Sequence, residues 1–98
     1  MPKAYIVGQV EVKNMDRYKA EYGAFVPPTI EQYGGTYLVR GGEVTDVEGT
    51  LPFSRVIVME FPDKAAALAW YNSPEYQAVI KGRHQNAESI MTIIEGIN

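Results

Sequence analysis

Arg40 is the side chain of this sequence with the clearest potential for binding chemistry. It is followed directly by Gly41 and Gly42, two residues that would let a ligand approach the backbone closely. Its guanidinium could bind a carboxylate through two parallel hydrogen bonds. The alternative is a structural ion pair with Glu60 or Glu95 on a neighbouring strand. The spacing along the chain leaves both interpretations open.

His84 is the single histidine, and histidine is the side chain that ordinarily titrates near neutral pH. It is therefore a candidate general base. Its position near the end of a predicted helix, beside Lys81 and Arg83, favours a simpler role in which it complements the negative end of the helix dipole. We expect no metal site, because one histidine cannot form a cluster and the acidic residues show no metal-ligand spacing.

Four aromatic side chains could frame an apolar pocket. Trp70 and Tyr71 are neighbours on a predicted helix, about 100° apart, so that one can face the sheet while the other lines an opening. Tyr5 and Tyr37 lie on predicted strands whose inner face could line a cavity. Such tyrosines, together with an arginine and a carboxylate, could bind a small acidic or phenolic compound.

Length, charge and composition exclude several classes of protein. The 98 residues, 46% of them hydrophobic, suit one domain over residues 1–98. A net charge of -3 lacks the basic excess of a nucleic-acid binder, and the absence of cysteine excludes a thiol nucleophile. No apolar run approaches the ~18 residues of a membrane span, and no signal-peptide core follows the N-terminus. We therefore expect a cytoplasmic protein without membrane or nucleic-acid partners.

Hydrophobic periodicity predicts the element order β-α-β-β-α-β. The predicted elements are a strand over 4–12, a helix over about 15–33 that is kinked or divided at Pro27-Pro28, strands over 36–40 and 55–61, an extended segment over 43–48 after a bulge or bend at Gly41-Gly42, helical segments after Asp63 and Ser73, and a strand over 90–95. This order is the split βαβ arrangement of α+β, ferredoxin-like folds.

The strand patterns predict a sheet with one uncovered face. The helical segments cover a single face, and the other would carry Tyr5 and Val7. In the strand over 55–61 both alternating sets of residues are largely apolar. We therefore expect a second, identical chain to pack its sheet against this face and form a homodimer.

Five motifs, in order along almost the whole chain, carry a family resemblance. They are Tyr33-Gly34-Gly35, Leu38-Val39-Arg40-Gly41-Gly42, Glu60-Phe61-Pro62, the segment from Ala69 to Tyr76, and Glu95-Gly96. With these motifs the chain resembles the small bacterial proteins of domain-of-unknown-function family 1330. The resemblance implies a ferredoxin-like protomer that pairs into a dimeric α/β barrel, and it implies no established reaction. The chain departs from the family pattern at His84.

The first functional hypothesis is a homodimeric protein that binds a small acidic or phenolic ligand without a cofactor. Its predicted ligand-binding residues are Arg40, Tyr5, Tyr37, Trp70 and Tyr71. The second hypothesis, by fold analogy alone, is a cofactor-independent enzyme such as a monooxygenase or an isomerase-like lyase, in which His84 or Glu60 would move a proton. The third is a structural dimer without a ligand.

Overall fold

The structure is a computed structural model and describes residues 2–97. Its elements are β1 (Ala4–Val12), α1 (Met15–Tyr18), a π-helical turn (Lys19–Gly23), α2 (Val26–Gln32), β2 (Thr36–Arg40), β3 (Arg55–Phe61), α3 (Lys64–Tyr71), α4 (Pro74–Gln77), α5 (Ile80–Asn86) and β4 (Ala87–Glu95). The predicted order β-α-β-β-α-β is confirmed, and the strands over 36–40 and 55–61 have the predicted bounds.

The four strands form one antiparallel sheet in the order β2-β3-β1-β4. In β1 the alternate residues from Ala4 to Val10 are buried beneath the helices, as the period of two along a strand requires. Gly8 lies at the middle of this central strand, opposite Ile57 on β3 and Met91 on β4. Residues of three neighbouring strands therefore lie side by side on the helix-facing side of the sheet.

The pairing of β2 with β3 contains a bulge at a position that the sequence did not predict. Tyr37 pairs with Met59, and Val39 rather than Leu38 takes the next register position. The extra residue brings Tyr37 and Arg40 to the same side of the sheet, although strict alternation would place them on opposite sides. This bulge decides which way Arg40 points.

The predicted extended segment over 43–48 is wrong. Residues 41–54 form a loop without regular structure, and all but Phe53 of them are exposed. The ladder ends where the Gly41 amide donates to the Val56 carbonyl, and Gly41 then turns the chain with φ +69. Beyond that turn no strand of the described residues lies opposite residues 43–48.

The first helical region is divided, as predicted, but the division lies before the prolines. The π-helical turn ends at Gly23, and Pro27 and Pro28 occupy the first turn of α2, where a missing N–H costs no helical hydrogen bond. Asn14 caps α1 by accepting from the Arg17 amide. The π-helical turn lies over the sheet, and it carries residues that line the cavity described below.

The second helical region packs the largest side chains of the core. Asp63 and Ser73 cap α3 and α4 through their side-chain oxygens. Trp70 and Tyr76 are completely buried, and the Tyr76 hydroxyl lies 2.7 Å from the hydroxyl of Tyr22 in the first helical region. The two helical regions are thereby joined above the sheet.

The opposite face of the sheet has no helix over it among residues 2–97. Tyr5 and Val7 lie on this open face, as predicted, and on the edge strand β4 Ile90 is 47% and Ile94 53% exposed.

None of the helices described has the length and hydropathy needed to cross a membrane.

Candidate functional site

A cavity of about 390 Å³ lies between the helices and the helix-facing side of the sheet. Its floor consists of alternate residues of the three neighbouring strands, among them Gly8, Ile57 and Met91. Tyr18 and Tyr22 form part of its roof at the end of α1 and in the π-helical turn. The shift from α to π geometry at this point is typical of helices that serve a functional site.

Four basic side chains line the cavity, and no carboxylate does. They are Lys19, Arg40, Arg55 and Arg83. The three ion pairs found within residues 2–97 all use other cations. A chain with a net charge of -3 therefore concentrates unneutralised positive charge at one place. Such a site attracts anions.

Arg55 begins β3 and faces the helices, opposite Val10. Its guanidinium lies so close to Gly41 that a Cβ there would overlap it. The Arg55 Nε atom is buried and has no hydrogen-bond partner in the described part of the chain. Arg55 is thus held against backbone rather than against an acidic side chain.

Arg83 on α5 is only 4% exposed. Its Nη1 atom lies 3.6 Å from the Met91 sulfur, and its Nη2 atom lies 3.2 Å from His84 Nε2. Its Nε atom is buried without an acceptor among the residues described. A buried charged donor with such weak partners is costly, so both Arg55 and Arg83 have unused capacity to donate to an anion.

Arg40 lies at the edge of the cavity. Its Nη2 atom donates to the Gly23 carbonyl at 2.9 Å, and its guanidinium carbon lies 4.8 Å from the centre of the Tyr37 ring. Arg40 forms no ion pair with Glu60, whose side chain lies on the open face with that of Tyr5. The cation at this edge therefore bridges the end of β2 and the π-helical turn.

Two cavity hydroxyls stay protonated at neutral pH. Burial raises the pKa of Tyr37 to about 12, although the Arg40 guanidinium opposes this rise. Burial likewise raises the pKa of Tyr18, against the lowering effect of Arg55 and Arg83. Both hydroxyls can therefore donate hydrogen bonds to an anion, and neither is a base.

The five predicted ligand-binding residues do not share one site. Arg40 and Tyr37 line the cavity. Tyr5 lies on the open face, because the odd-numbered residues of β1 point away from the helices, and its hydroxyl lies 3.4 Å from Glu60 Oε1. Trp70 is fully buried in the core and donates from Nε1 to Thr29 Oγ1, and Tyr71 packs beside it with ring centres 6.4 Å apart.

The two predicted proton carriers also lie apart. Glu60 is on the open face, 3.4 Å from Lys3 Nζ. His84 is exposed on α5 and approaches the cavity only through its contact with Arg83. Within residues 2–97 no three His, Asp or Glu side chains gather as metal ligands would.

Sequence analysis missed Arg55, Arg83, Tyr18 and Lys19 as cavity residues, although two signals were present. Arg55 continues the alternating set that contains Ile57 and Met59, so a charge stands at the end of an apolar strand face. Arg83 continues the helical spacing of Val79 and Ile80. A charged residue in the pattern of a buried face indicates either a paired charge or a binding site.

The fold has close counterparts among solved structures. A protein of unknown function from Rhodopseudomonas palustris superposes with a TM-score of 0.77 at 20% identity, over 99% of this chain and 84% of that one. A dimeric ferredoxin-like protein of unknown function from Jannaschia sp. CCS1 gives 0.71 at 17% identity, over 96% and 99%. The cofactor-independent oxygenase SnoaB from Streptomyces nogalater gives 0.63 at 10% identity, over 100% and 96%. These likenesses confirm the ferredoxin-like α+β fold.

No curated protein shows significant sequence similarity to the chain. The model of one protein family, described as a domain of unknown function (DUF1330), matches residues 3–97. The predicted family resemblance is therefore confirmed, and the chain belongs to the DUF1330 family.

Proposed function

We propose that this protein binds a small organic anion in the cavity between sheet and helices. The observation that carries the proposal is the cavity lining, in which Arg40, Arg55, Arg83 and Lys19 meet without a carboxylate. The buried Nε atoms of Arg55 and Arg83 are hydrogen-bond donors without an acceptor among the described residues. A carboxylate would neutralise the charge and accept these hydrogen bonds together.

The energetic balance favours an anion. An unsatisfied buried donor costs ~1–3 kcal/mol, and hydrogen bonds to charged groups contribute ~1.5–3 kcal/mol each. The guanidinium fork suits a planar carboxylate, which can accept two parallel bonds. Arg55 and Arg83 also line the same cavity, so without an anion their like charges lie in one space with no carboxylate to neutralise them. A bound acid therefore relieves two costs at once.

The rest of the lining supports an organic acid over an inorganic ion. Val10, Ile57, Met59 and Met91 give the cavity an apolar floor. The volume of about 390 Å³ lies within the range of small-molecule pockets, ~300–1,000 Å³. An inorganic anion would leave most of this apolar surface without contacts.

The working unit of the proposal is a homodimer of single-domain chains that pair through their open sheet faces. The solved neighbour from Jannaschia is dimeric, and the open face of this chain exposes Ile90 and Ile94. Because the cavity lies on the opposite side of the sheet, such pairing leaves one cavity in each chain.

Isothermal titration calorimetry with benzoate and benzylamine tests the binding proposal, because these probes share a ring and differ in charge. Benzoate should bind and benzylamine should not. Arg55→Gln should weaken benzoate binding by roughly 10-fold or more, the effect of one charge-assisted hydrogen bond. Arg17→Gln is the matched control, since Arg17 is exposed and pairs with Glu21 outside the cavity. Equal binding of both probes, or an equal loss in the control, would contradict the proposal.

The enzyme hypothesis stays a prediction. Its support is the likeness in fold to a cofactor-independent oxygenase, and at 10% identity that likeness concerns the fold alone. The proposed proton carriers, His84 and Glu60, are not among the residues that line the cavity. The third hypothesis, a structural dimer without a ligand, predicts that no acid binds in the calorimetric experiment.

A further inference from the structure

Gly8 occupies an unusual position for a glycine. It is buried at the centre of β1, the strand that pairs on both sides, and it faces the cavity. Glycine in the interior of a strand destabilises the fold relative to alanine, because it loses more conformational freedom and leaves nothing to pack. A specific requirement should therefore account for it.

Neither of the usual requirements applies at Gly8. Its φ is not positive, since the positive-φ glycines of the described chain are Gly34, Gly41 and Gly49. Crowding does not demand a glycine either, because an added Cβ would come no closer than 3.8 Å to its nearest neighbour, the Cβ of Ile57. What the missing side chain preserves is space on the floor of the cavity.

The surroundings of that space favour an aromatic ring. Met59 and Met91 lie on the strands that flank Gly8, and thioether sulfurs make favourable contacts with ring edges. Tyr18 and Tyr37 add aromatic walls. Met91 Sδ also lies 3.6 Å from Arg83 Nη1, so a ring beside Met91 would carry an adjoining acid group to Arg83.

We infer that the ligand is an aromatic acid whose ring lies on the backbone of Gly8, and that Gly8 determines the size of ring that is accepted. This inference rests on the anion-binding function proposed for the cavity. It adds the chemical class of the apolar part of the ligand and names the residue that selects it.

Calorimetry with three acids and two variants tests the inference. Benzoate should bind at least 5-fold more tightly than cyclohexanecarboxylate, which has a ring of the same size without aromatic character. Gly8→Leu should weaken 2-naphthoate binding at least 10-fold and benzoate binding less, because the added side chain occupies the floor. Gly42→Leu is the matched control, as a Cβ there meets nothing within 4 Å and Gly42 lies outside the cavity; its affinities should equal those of the wild type.

A folding measurement keeps the inference open to refutation if Gly8→Leu folds poorly. Gly8→Ala should raise the thermal midpoint of the ligand-free protein by roughly 2–6 °C, the shift expected when a strand glycine becomes alanine in a domain of this size. A lower midpoint would mean that packing requires the glycine, and would overturn the inference.

The two proposals fail in distinguishable ways. If cyclohexanecarboxylate binds as tightly as benzoate and still depends on Arg55, the aromatic inference is wrong and the anion site stands. Undiminished binding of 2-naphthoate to Gly8→Leu would likewise overturn the role of Gly8 alone. If none of the three acids binds the wild type, the anion site is wrong and the inference falls with it.

Discussion

The Arg55 guanidinium lies against the backbone of Gly41, in the space that a Cβ at Gly41 would occupy. Gly41 is also the residue that turns the chain out of β2, with φ +69. One glycine therefore ends a strand and gives room to a cavity arginine of the neighbouring strand. The position of the cation depends on a residue that itself carries no functional group.

Gly41→Ala should displace Arg55 and weaken benzoate binding roughly 5- to 10-fold, about 1 kcal/mol. It should also cost stability, because a non-glycine residue in the left-handed region costs ~1–2 kcal/mol. Calorimetry measures the first effect and urea denaturation the second.

Gly49→Ala separates these two effects. Gly49 lies in the same loop with φ +74, and a Cβ there would meet nothing within 4 Å. It should lose similar stability and retain full affinity. Equal losses of affinity in both variants would show that loop conformation, rather than the placement of Arg55, controls binding.

Arg83→Leu should abolish most benzoate binding while leaving the ligand-free protein as stable as the wild type, or more stable by ~1 kcal/mol. The reason is that Arg83 is 4% exposed and has no acidic partner in the described chain, so its burial is costly without an anion. Urea midpoints with and without benzoate measure both effects. A loss of more than ~2 kcal/mol in the ligand-free state would assign Arg83 a structural role instead.

Stability should fall as the pH rises from 10 to 12. Burial raises the pKa of Tyr37 to about 12, against 10.0 for the unperturbed side chain, and it also raises the pKa of Tyr18, Tyr22 and Tyr76. Between these pH values the folded state retains protons that the unfolded state releases, so the free energy of unfolding decreases with pH. Below about pH 9 these tyrosines hardly change the stability, because they are protonated in both the folded and the unfolded state.

Urea midpoints of wild type and Tyr37→Phe at pH 9, 10 and 11 measure how much of this alkaline loss of stability comes from Tyr37. The variant should lose less stability across this range, because phenylalanine does not ionise. Parallel curves for the two proteins would exclude Tyr37 as a source of the alkaline transition.

Val58→Lys should dissociate the proposed dimer. Val58 lies on the open face between Val7 of β1 and Val39 of β2, where a buried ammonium group would have no acidic residue directly opposite on those strands. Sedimentation equilibrium at tens of micromolar should show a dimer for the wild type and a dissociation constant at least 10-fold higher for the variant. Val47→Lys, in a loop position 90% exposed, should remain dimeric. A monomeric wild type would refute pairing through the open face.

The elements of this protein follow from local patterns in its sequence. Alternation defines β1, and Asn14, Asp63 and Ser73 cap helices as such residues do. Pro27 and Pro28 occupy the first turn of α2, a position that prolines favour. These features depend on neighbours within a few positions, and the family motifs extend over the same segments. The sequence therefore determined the order of elements, the fold class and the existence of an open face.

The candidate site depends on relations that local patterns do not contain. A bulge after Tyr37 turns Arg40 to the helix-facing side, and the register of β3 with β1 places Arg55 on that same side. Arg83 joins them from a helix at the far end of the chain. A shift of one residue in either register would reverse the direction of these side chains, because strand residues alternate between faces. Only the tertiary structure, in which strands distant in sequence pair and pack, could bring three arginines to one cavity.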